Sequence, residues 1–164
     1  MRRLCTIPPA HLLIGGRQRD TFVKMCEEVS PFVKEVLGLK VVNLTPGALE
    51  MQFSMKPHHL GNPFSQVLHG GVTASVLDHV GGFAAWSTLT DPNKLLSTVD
   101  LRIDYISPAP YVNGGILSVV GSVKMLDKVQ GKQGRLVRAD AELRLQTGEM
   151  LALARGLYNV YTVR

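Results

Sequence analysis

The chain has 164 residues, 45% of them hydrophobic, which is enough to bury one core without disulfides or a structural metal. It carries 18 Lys and Arg against 13 Asp and Glu, a formal net charge of +5 at pH 7. The positive charges are scattered with few aromatic residues among them, which argues against nucleic acid and favours an anionic small molecule as partner. Cys5 and Cys26 lack C-x-x-C spacing, so we expect a reducing, cytoplasmic location.

An amphipathic helix comes first among the predicted elements. Apolar side chains recur every three or four positions over residues 19–37, Pro31 is expected to kink or split the helix, and Gly38 ends it. We assign residues 1–37 to an N-terminal extension with a helix and residues 38–164 to one domain.

Strands and one long helix fill this domain. The predicted elements are strands 39–45 and 48–55, a loop 56–68, a helix of about 69–89, and strands 96–106, 115–126, 136–145 and 149–162. In the predicted strand 96–106, strict alternation puts Leu101 and Ile103 on one face and Thr98 on the other. Small residues alternate over 152–156, where we expect the helix to approach closely. This order predicts an α+β domain with an antiparallel sheet on a central helix.

The long helix is apolar but too short to cross a membrane. Asp78 and His79 interrupt its apolar run well before the roughly 20 residues that a bilayer requires. We therefore expect a soluble protein without a membrane partner.

The start of this helix carries the strongest functional signal. Gly70 and Gly71 place unpaired N–H groups at the positive end of the helix dipole, a site for developing negative charge. Asp78 follows among apolar residues, where burial of a charge that has no functional role is energetically unfavourable. The eight positions from Gly70 to Asp78 span about 12 Å, so one carbonyl cannot touch both, and a shared site needs two chains. The alternatives are glycines that serve only packing and an aspartate on the helix surface.

Two segments resemble a known family. The run His69-Gly70-Gly71 is followed nine positions from the histidine by Asp78, and residues 97–109 match a second stretch in the right order. Together they resemble the hot-dog fold acyl-CoA thioesterases, specifically the phenylacetate-pathway (PaaI-like) branch of the 4-hydroxybenzoyl-CoA thioesterase superfamily, over roughly residues 38–162.

The resemblance implies a fold, a partner and an assembly. The fold is an antiparallel sheet of about five to six strands wrapped around a long central helix. The substrate is an acyl-CoA, whose phosphates account for part of the positive charge, and no cofactor is implied beyond this coenzyme A. The assembly is a homodimer or a homotetramer built as a dimer of dimers. The helix of the N-terminal extension is a candidate lid over the acyl tunnel.

Site residues follow from the same resemblance. It implies Asp78 as nucleophile or general base and the Gly70 N–H as the donor that polarises the thioester carbonyl. It implies that Asn62 orients the substrate and that Thr98 helps to hold the water or the acid. On residues alone, Asn62 beside Pro63 is equally a turn former.

The histidines are expected to be structural or to border the substrate. His69 is expected to orient the helix start through its ring nitrogens, and we place it with Gly71 in the substrate-binding region. His58, His59 and His79 have no spacing that matches a metal-ligand pair, so no metal is expected.

Two alternative functions stay open. One is a non-catalytic acyl-CoA sensor or binding protein with this fold, against which the retained Asp78 argues. The other is a hot-dog enoyl-CoA hydratase, whose signature is Asp-x-Asn-Pro-x-His. The chain has Asn62-Pro63 but places Leu60 and Ser65 where the acid and the histidine belong. The identity of the acyl group is not specified by any pattern in the sequence.

Overall fold

The computed structural model describes residues 13–129 and 132–162. The elements, in chain order, are the short strands β1 (Leu13–Ile14) and β2 (Arg17–Gln18), helix α1 (Arg19–Glu28), a π-helical turn (Phe32–Leu37), strands β3 (Leu39–Thr45) and β4 (Ala48–Ser54), a 3-10 turn (Pro57–His59), strands β5 (Leu60–Asn62) and β6 (Val67–Leu68), helix α2 (Gly70–Trp86), and strands β7 (Lys94–Tyr105), β8 (Ile116–Val129), β9 (Lys132–Leu145) and β10 (Met150–Thr162). The first twelve residues of the predicted extension, with Cys5, lie outside the described part.

Six strands form one antiparallel sheet in the order β3-β4-β8-β9-β10-β7. Helix α2 lies across one face of this sheet and contacts β4, β7, β8, β9 and β10. Two small ribbons, β1-β2 and β5-β6, flank it. The predicted α+β architecture is confirmed, and β7, which directly follows α2 in the chain, forms one edge of the sheet.

The core lies between α2 and the sheet. Val80 and Ala84 of α2 are completely buried. They sit against Gly121 of β8, where an added Cβ would come 2.7 Å from the Val80 carbonyl oxygen and 3.0 Å from the Ala84 Cβ. Because no real Cβ tolerates the first distance, the absence of a side chain at Gly121 sets how closely the helix approaches the sheet.

Helix α1 packs into the same core. Pro31 splits the predicted helix as expected, and Gly38, in the left-handed conformation at φ 66°, ends the π-helical turn. Phe22 and Cys26 are fully buried, and burial raises the pKa of the Cys26 thiol above its ordinary value. The division of the chain at residue 38 stays a prediction.

Two details differ from the strict alternation that the sequence predicts. Strand β7 has a bulge at Val99, because Thr98 pairs with Tyr158 while Asp100 pairs with Leu157. At Gly156 the close neighbour is not the helix: an added Cβ would lie 2.4 Å from the Tyr158 hydroxyl. The small residue there makes room for a tyrosine two positions on.

The loop before α2 is also more ordered than its composition suggests. Residues 56–68 contain the 3-10 turn and the β5-β6 ribbon instead of irregular chain. Within residues 13–129 and 132–162, no helix has the length and apolar character needed to cross a bilayer.

Candidate active site

Helix α2 begins with an ordered N-terminal cap. His69 is the capping residue, with φ −66° and ψ 128°, and its Nδ1 accepts the Gly71 N–H at 2.9 Å. The His69 carbonyl accepts the N–H groups of Val72 and Thr73 at 3.0 and 3.2 Å. In the described part of the chain the Gly70 N–H has no hydrogen-bond partner. His69 thus orients the helix start, as expected, and leaves one donor open.

The two glycines at this cap have different surroundings. An added Cβ at Gly71 would lie 3.0 Å from His69 Nδ1, so glycine there lets the ring reach the backbone. An added Cβ at Gly70 would make only ordinary contact with the Tyr105 ring, at 3.6 Å. Gly70 is exposed, and the Tyr105 hydroxyl donates to its carbonyl at 2.9 Å. Packing inside the described chain therefore gives no reason for glycine at position 70, and the packing alternative has no support from these contacts.

Asp78 lies two turns further along α2 and is partly buried. Its Oδ1 accepts a hydrogen bond from the Thr98 hydroxyl at 2.9 Å, between the helix and strand β7. The bulge at Val99 makes this contact possible, because it turns Thr98 toward the helix while Val99 stands 59% exposed. The predicted pairing of an acid with a hydroxyl residue is therefore present, although the predicted facing of Thr98 is wrong.

Two further side chains surround Asp78. The Tyr158 hydroxyl donates to the Asp78 backbone carbonyl at 3.4 Å, and burial, with a smaller effect of the Asp78 charge, raises the pKa of Tyr158. His79 Nε2 donates to the Cys26 carbonyl of α1 at 2.7 Å. Burial lowers the pKa of His79, partly offset by that hydrogen bond and by Asp78. His79 therefore joins α1 to α2 through this bond, and the lowered pKa favours its neutral form.

Asp78 and Gly70 line different cavities. Asp78 and Thr98 stand at a partly open cavity of about 500 Å³ whose lining is mostly apolar and comes from α1 with the residue after it, α2, β7 and β10. Gly70 and Tyr105 line a separate cavity of about 290 Å³ between the start of α2 and the end of β7. No residue lines both. Within one chain the two halves of the predicted site are not brought together.

Asn62 forms a turn at the tip of the β5-β6 ribbon. Its Oδ1 accepts the N–H groups of Phe64 and Ser65 at 2.8 and 3.3 Å. Its side chain lies with neither Asp78 nor Gly70 in a cavity of the described chain. The turn-forming interpretation accounts for these bonds, and the substrate role of Asn62 stays a prediction.

The paired histidines of the 3-10 turn bind backbone. His59 Nδ1 accepts the Lys56 N–H at 3.0 Å, and its Nε2 donates to the Val36 carbonyl at 2.8 Å. His58 Nε2 reaches the same carbonyl at 3.2 Å. Across residues 13–129 and 132–162, no three His, Cys, Asp or Glu side chains are grouped as a metal site requires. These rings fix the end of the π-helical turn to the loop before α2.

Sequence reasoning missed two residues of this site. Tyr105 was assigned only to an alternating strand, and its hydroxyl reaches Gly70 across the space between two elements. Tyr158 was not singled out at all, although the glycine pair at 81 and 82 leaves space for its ring. A glycine pair inside a helix, where glycine costs about 1 kcal/mol against alanine, was a signal that a large neighbour packs there.

Comparisons with known proteins show which family this chain resembles. The family model described as Thioesterase superfamily matches residues 65–124, which include Gly70, Asp78 and Thr98. Over 90 residues the chain is 33% identical to the medium/long-chain acyl-CoA thioesterase YigI of Salmonella typhimurium, covering 48% of this chain and 57% of that protein. The chain thus matches little more than half the length of this curated relative.

Solved structures extend the comparison to nearly the whole chain. A Shewanella oneidensis protein related to the thioesterase superfamily superposes with a TM-score of 0.70 at 30% identity, covering 87% of this chain and 94% of that one. The Escherichia coli PaaI protein from the phenylacetic acid degradation operon has a TM-score of 0.64 at 21% identity, covering 79% and 83%, and at that identity the likeness concerns the fold alone. The expected hot-dog fold is confirmed, and the chain belongs to the thioesterase superfamily.

Proposed function

We propose that this protein hydrolyses acyl-CoA thioesters to a free acid and coenzyme A at a site shared by two copies of the chain. The observation that carries the proposal is the Thr98-Asp78 pair at the opening of a large apolar cavity. A carboxylate at the edge of an apolar compartment suits a substrate with an alkyl tail and an electrophilic carbonyl at its head. The name of the Salmonella relative points to the same substrate class.

The proposed chemistry needs only groups that the chain supplies. Asp78 attacks the thioester carbon and the resulting anhydride is hydrolysed, or Asp78 deprotonates a water that attacks directly. In both routes water is consumed, the carbon–sulfur bond breaks, and coenzyme A leaves as a thiol. The Thr98 hydroxyl holds one carboxylate oxygen and leaves the other for the reaction. The open Gly70 N–H, at the positive end of the α2 dipole, stabilises the negative charge on the carbonyl oxygen.

The separation of Gly70 from Asp78 favours a composite site. The two residues line cavities with no residue in common, and eight positions of helix place them about 12 Å apart. Because an oxyanion donor works at about 3 Å, the donor for one Asp78 must come from a second copy. We propose that the working unit is a homodimer, alone or as half of a homotetramer.

Strand β7 offers a route to that dimer. It is an edge of the six-stranded sheet, and edge strands pair readily with another copy. Tyr105 marks the Gly70 end of β7 and Thr98 marks the Asp78 end. Because Val99 is the extra residue of the bulge, Tyr105 and Thr98 lie six paired positions apart on β7. If two β7 strands pair antiparallel, Tyr105 of one copy falls beside Thr98 of the other when the two-fold axis passes at Arg102. That register brings each Gly70 to the other copy's Asp78.

Mixing two inactive variants tests both parts of the proposal. Asp78→Asn removes the acid, and we expect thiol release from acyl-CoA to fall about 100- to 10,000-fold with binding retained. Gly70→Pro removes the N–H donor. When both variants are unfolded together and refolded, half of the dimers carry one of each and contain one intact site, so about a quarter of wild-type activity returns.

The outcomes separate the alternatives. Activity that stays absent in the refolded mixture contradicts the shared site, with dimer formation checked by light scattering. Unchanged hydrolysis by Asp78→Asn removes the residue from the mechanism. Binding of acyl-CoA by a wild type that hydrolyses no member of a broad panel would favour the non-catalytic sensor. A PaaI-like preference for aromatic acyl groups is tested by including phenylacetyl-type thioesters in the panel.

A further inference from the structure

The cavity beside Asp78 has a polar end at Asp78 and Thr98 and an aromatic end at Trp86. Asp78, Gly82 and Trp86 recur every four positions on α2 and so form one stripe along the helix that lines the cavity. Strand β7 runs beside this stripe of α2 and contacts it at both ends. Thr98 bonds to Asp78, and the Lys94 carbonyl accepts the Trp86 indole N–H at 2.9 Å. The cavity therefore runs from the proposed reacting carbonyl toward the indole.

Several contacts hold the aromatic end in place. The Trp86 ring packs with Phe22 and Phe83 at centroid distances of 5.7 and 5.3 Å, and those two rings lie 5.8 Å apart. The Arg17 guanidinium lies over the Trp86 ring, 4.8 Å from its centroid. A ring held by a hydrogen bond, two aromatic neighbours and a cation cannot swing aside without losing all of these contacts.

The side wall comes from helix α1. Met25 and Val29 line the cavity opposite α2, and the His79 bond to the Cys26 carbonyl fixes α1 in that position. The predicted extension therefore supplies a wall of the compartment. Asp78 and Thr98 supply polar groups at the opposite end, which orients an occupant with its polar group there and its alkyl chain toward Trp86.

From these contacts we infer that Trp86 and Gly82 set the acyl-chain length: Trp86 ends the compartment and Gly82 keeps its middle open. The inference rests on the proposed function and adds the residues that select the substrate. The eight positions from Asp78 to Trp86 give about 12 Å of helix. An extended acyl chain of about eight to ten carbons fills that length, because each C–C bond of about 1.5 Å advances the chain by slightly less.

Gly82 is the position at which a side chain would shorten the compartment. It lines the cavity one turn beyond Asp78, and an added Cβ would lie 3.3 Å from the Tyr158 ring. The ring thus restricts one direction, and a larger side chain must extend into the cavity about 6 Å from Asp78. Alanine needs only a small shift of the ring, so Gly82→Ala and Gly82→Leu form a graded pair.

The test is the chain-length profile of kcat/KM for straight acyl-CoAs from four to eighteen carbons. For wild type, kcat/KM should rise by up to about fourfold for each added methylene and should stop rising near ten carbons. In Gly82→Leu the ratio of kcat/KM on ten carbons to that on four carbons should fall on the order of 100-fold, with a smaller fall in Gly82→Ala. Trp86→Leu should move the optimum to longer chains. Tyr161→Ala, an aromatic truncation outside the cavity, should leave the profile unchanged.

Failure of this inference is distinct from failure of the proposed function. Hydrolysis with a profile that neither Gly82→Leu nor Trp86→Leu displaces would overturn the assignment of the two residues. If wild type hydrolyses nothing, the proposed function fails, and calorimetric binding of free fatty acids of six to sixteen carbons still tests the compartment. The preferred length for binding must then shorten in Gly82→Leu and lengthen in Trp86→Leu, and an unchanged preference would refute the inference.

Discussion

The two ends of the candidate site are built in different ways. At the start of α2 the functional group is backbone: an open Gly70 N–H set in place by the His69 cap. At Asp78 the functional group is a side chain, held by Thr98 across a strand bulge and placed against a large apolar cavity. The first end is exposed and fixed by local hydrogen bonds, and the second depends on the packing of distant elements.

The difference shows that two separate parts of one short domain supply the groups of the candidate site. Asp78 lies at the larger apolar cavity, and Gly70 lies at a separate cavity of the same chain. Under the proposed function, one protomer supplies the acid and the acyl compartment, and its partner supplies the amide donor. Changes at the Gly70 end should therefore affect the chemical step with little effect on acyl selection. Changes around Asp78 should affect both. Three experiments use this contrast.

The largest expected effect concerns the backbone donor. Gly70→Pro removes the N–H at a position where proline suits the first turn of a helix, and the extended His69 conformation, at ψ 128°, suits a residue before proline. We expect kcat to fall about 100- to 1,000-fold with an unchanged chain-length profile. Gly70→Ala keeps the N–H and should lose far less. Equal losses in the two variants would mean that space, not the donor, matters at this position.

A smaller effect is expected at the side-chain end. Thr98→Val keeps the shape of the residue but removes the hydrogen bond to Asp78. Since a hydrogen bond to a charged group contributes about 1.5–3 kcal/mol, we expect kcat to fall about 10- to 100-fold. Thr98→Ser keeps the hydroxyl and serves as the matched control. Full activity in Thr98→Val, measured by thiol release, would show that this bond is not needed for the reaction.

The smallest effect is a pH dependence of stability. Burial lowers the pKa of His79 below its ordinary value of 6.5, so the unfolded chain takes up a proton before the folded one does. The stability that His79 contributes as a buried neutral ring is fully present above about pH 6.5. It is lost as the pH falls through the pKa of His79 in the folded protein. We expect the Tm to drop between pH 7 and lower pH, and to drop less steeply in His79→Gln.

The matched control for this measurement is His58→Gln, which changes an exposed ring on the 3-10 turn. His59 is also buried with a lowered pKa, so part of the decrease of Tm with falling pH should persist in His79→Gln. Parallel Tm curves for wild type and His79→Gln would contradict the assignment of this pH dependence to the bond between α1 and α2.

The regular elements were readable from the sequence because they follow one periodicity each. The 3.6-residue recurrence predicted α1, Pro31 predicted the break, and the glycine start with its apolar run predicted α2. Turn residues and period-two alternation predicted most of the sheet strands. Asp78 and Gly70 were found because each conflicts with its surroundings: an acid in an apolar run and a glycine at a helix start. Thr98 was found through the resemblance alone, since its strand pattern pointed it the other way.

The remaining features depend on tertiary contacts that periodicity does not encode. The bulge at Val99 is an extra residue opposite β10, and it appears only when two strands distant in sequence are paired. The Tyr158 ring occupies space left by glycines on α2 and β10 together. The cavity beside Asp78 needs α1 to close it. Each of these joins elements that lie more than 40 residues apart in the sequence.

Gly121 lines neither cavity of the candidate site, yet it sets the position of the helix that carries Asp78. The backbone of α2 rests against this position through Val80, two residues after Asp78. Any side chain introduced there would lift the helix and carry Asp78 away from Thr98, which stays behind on the sheet. A kinetic defect would then arise in a protein whose acid, donor and hydroxyl are all chemically intact, and a screen for lost activity would report this remote glycine as if it were catalytic.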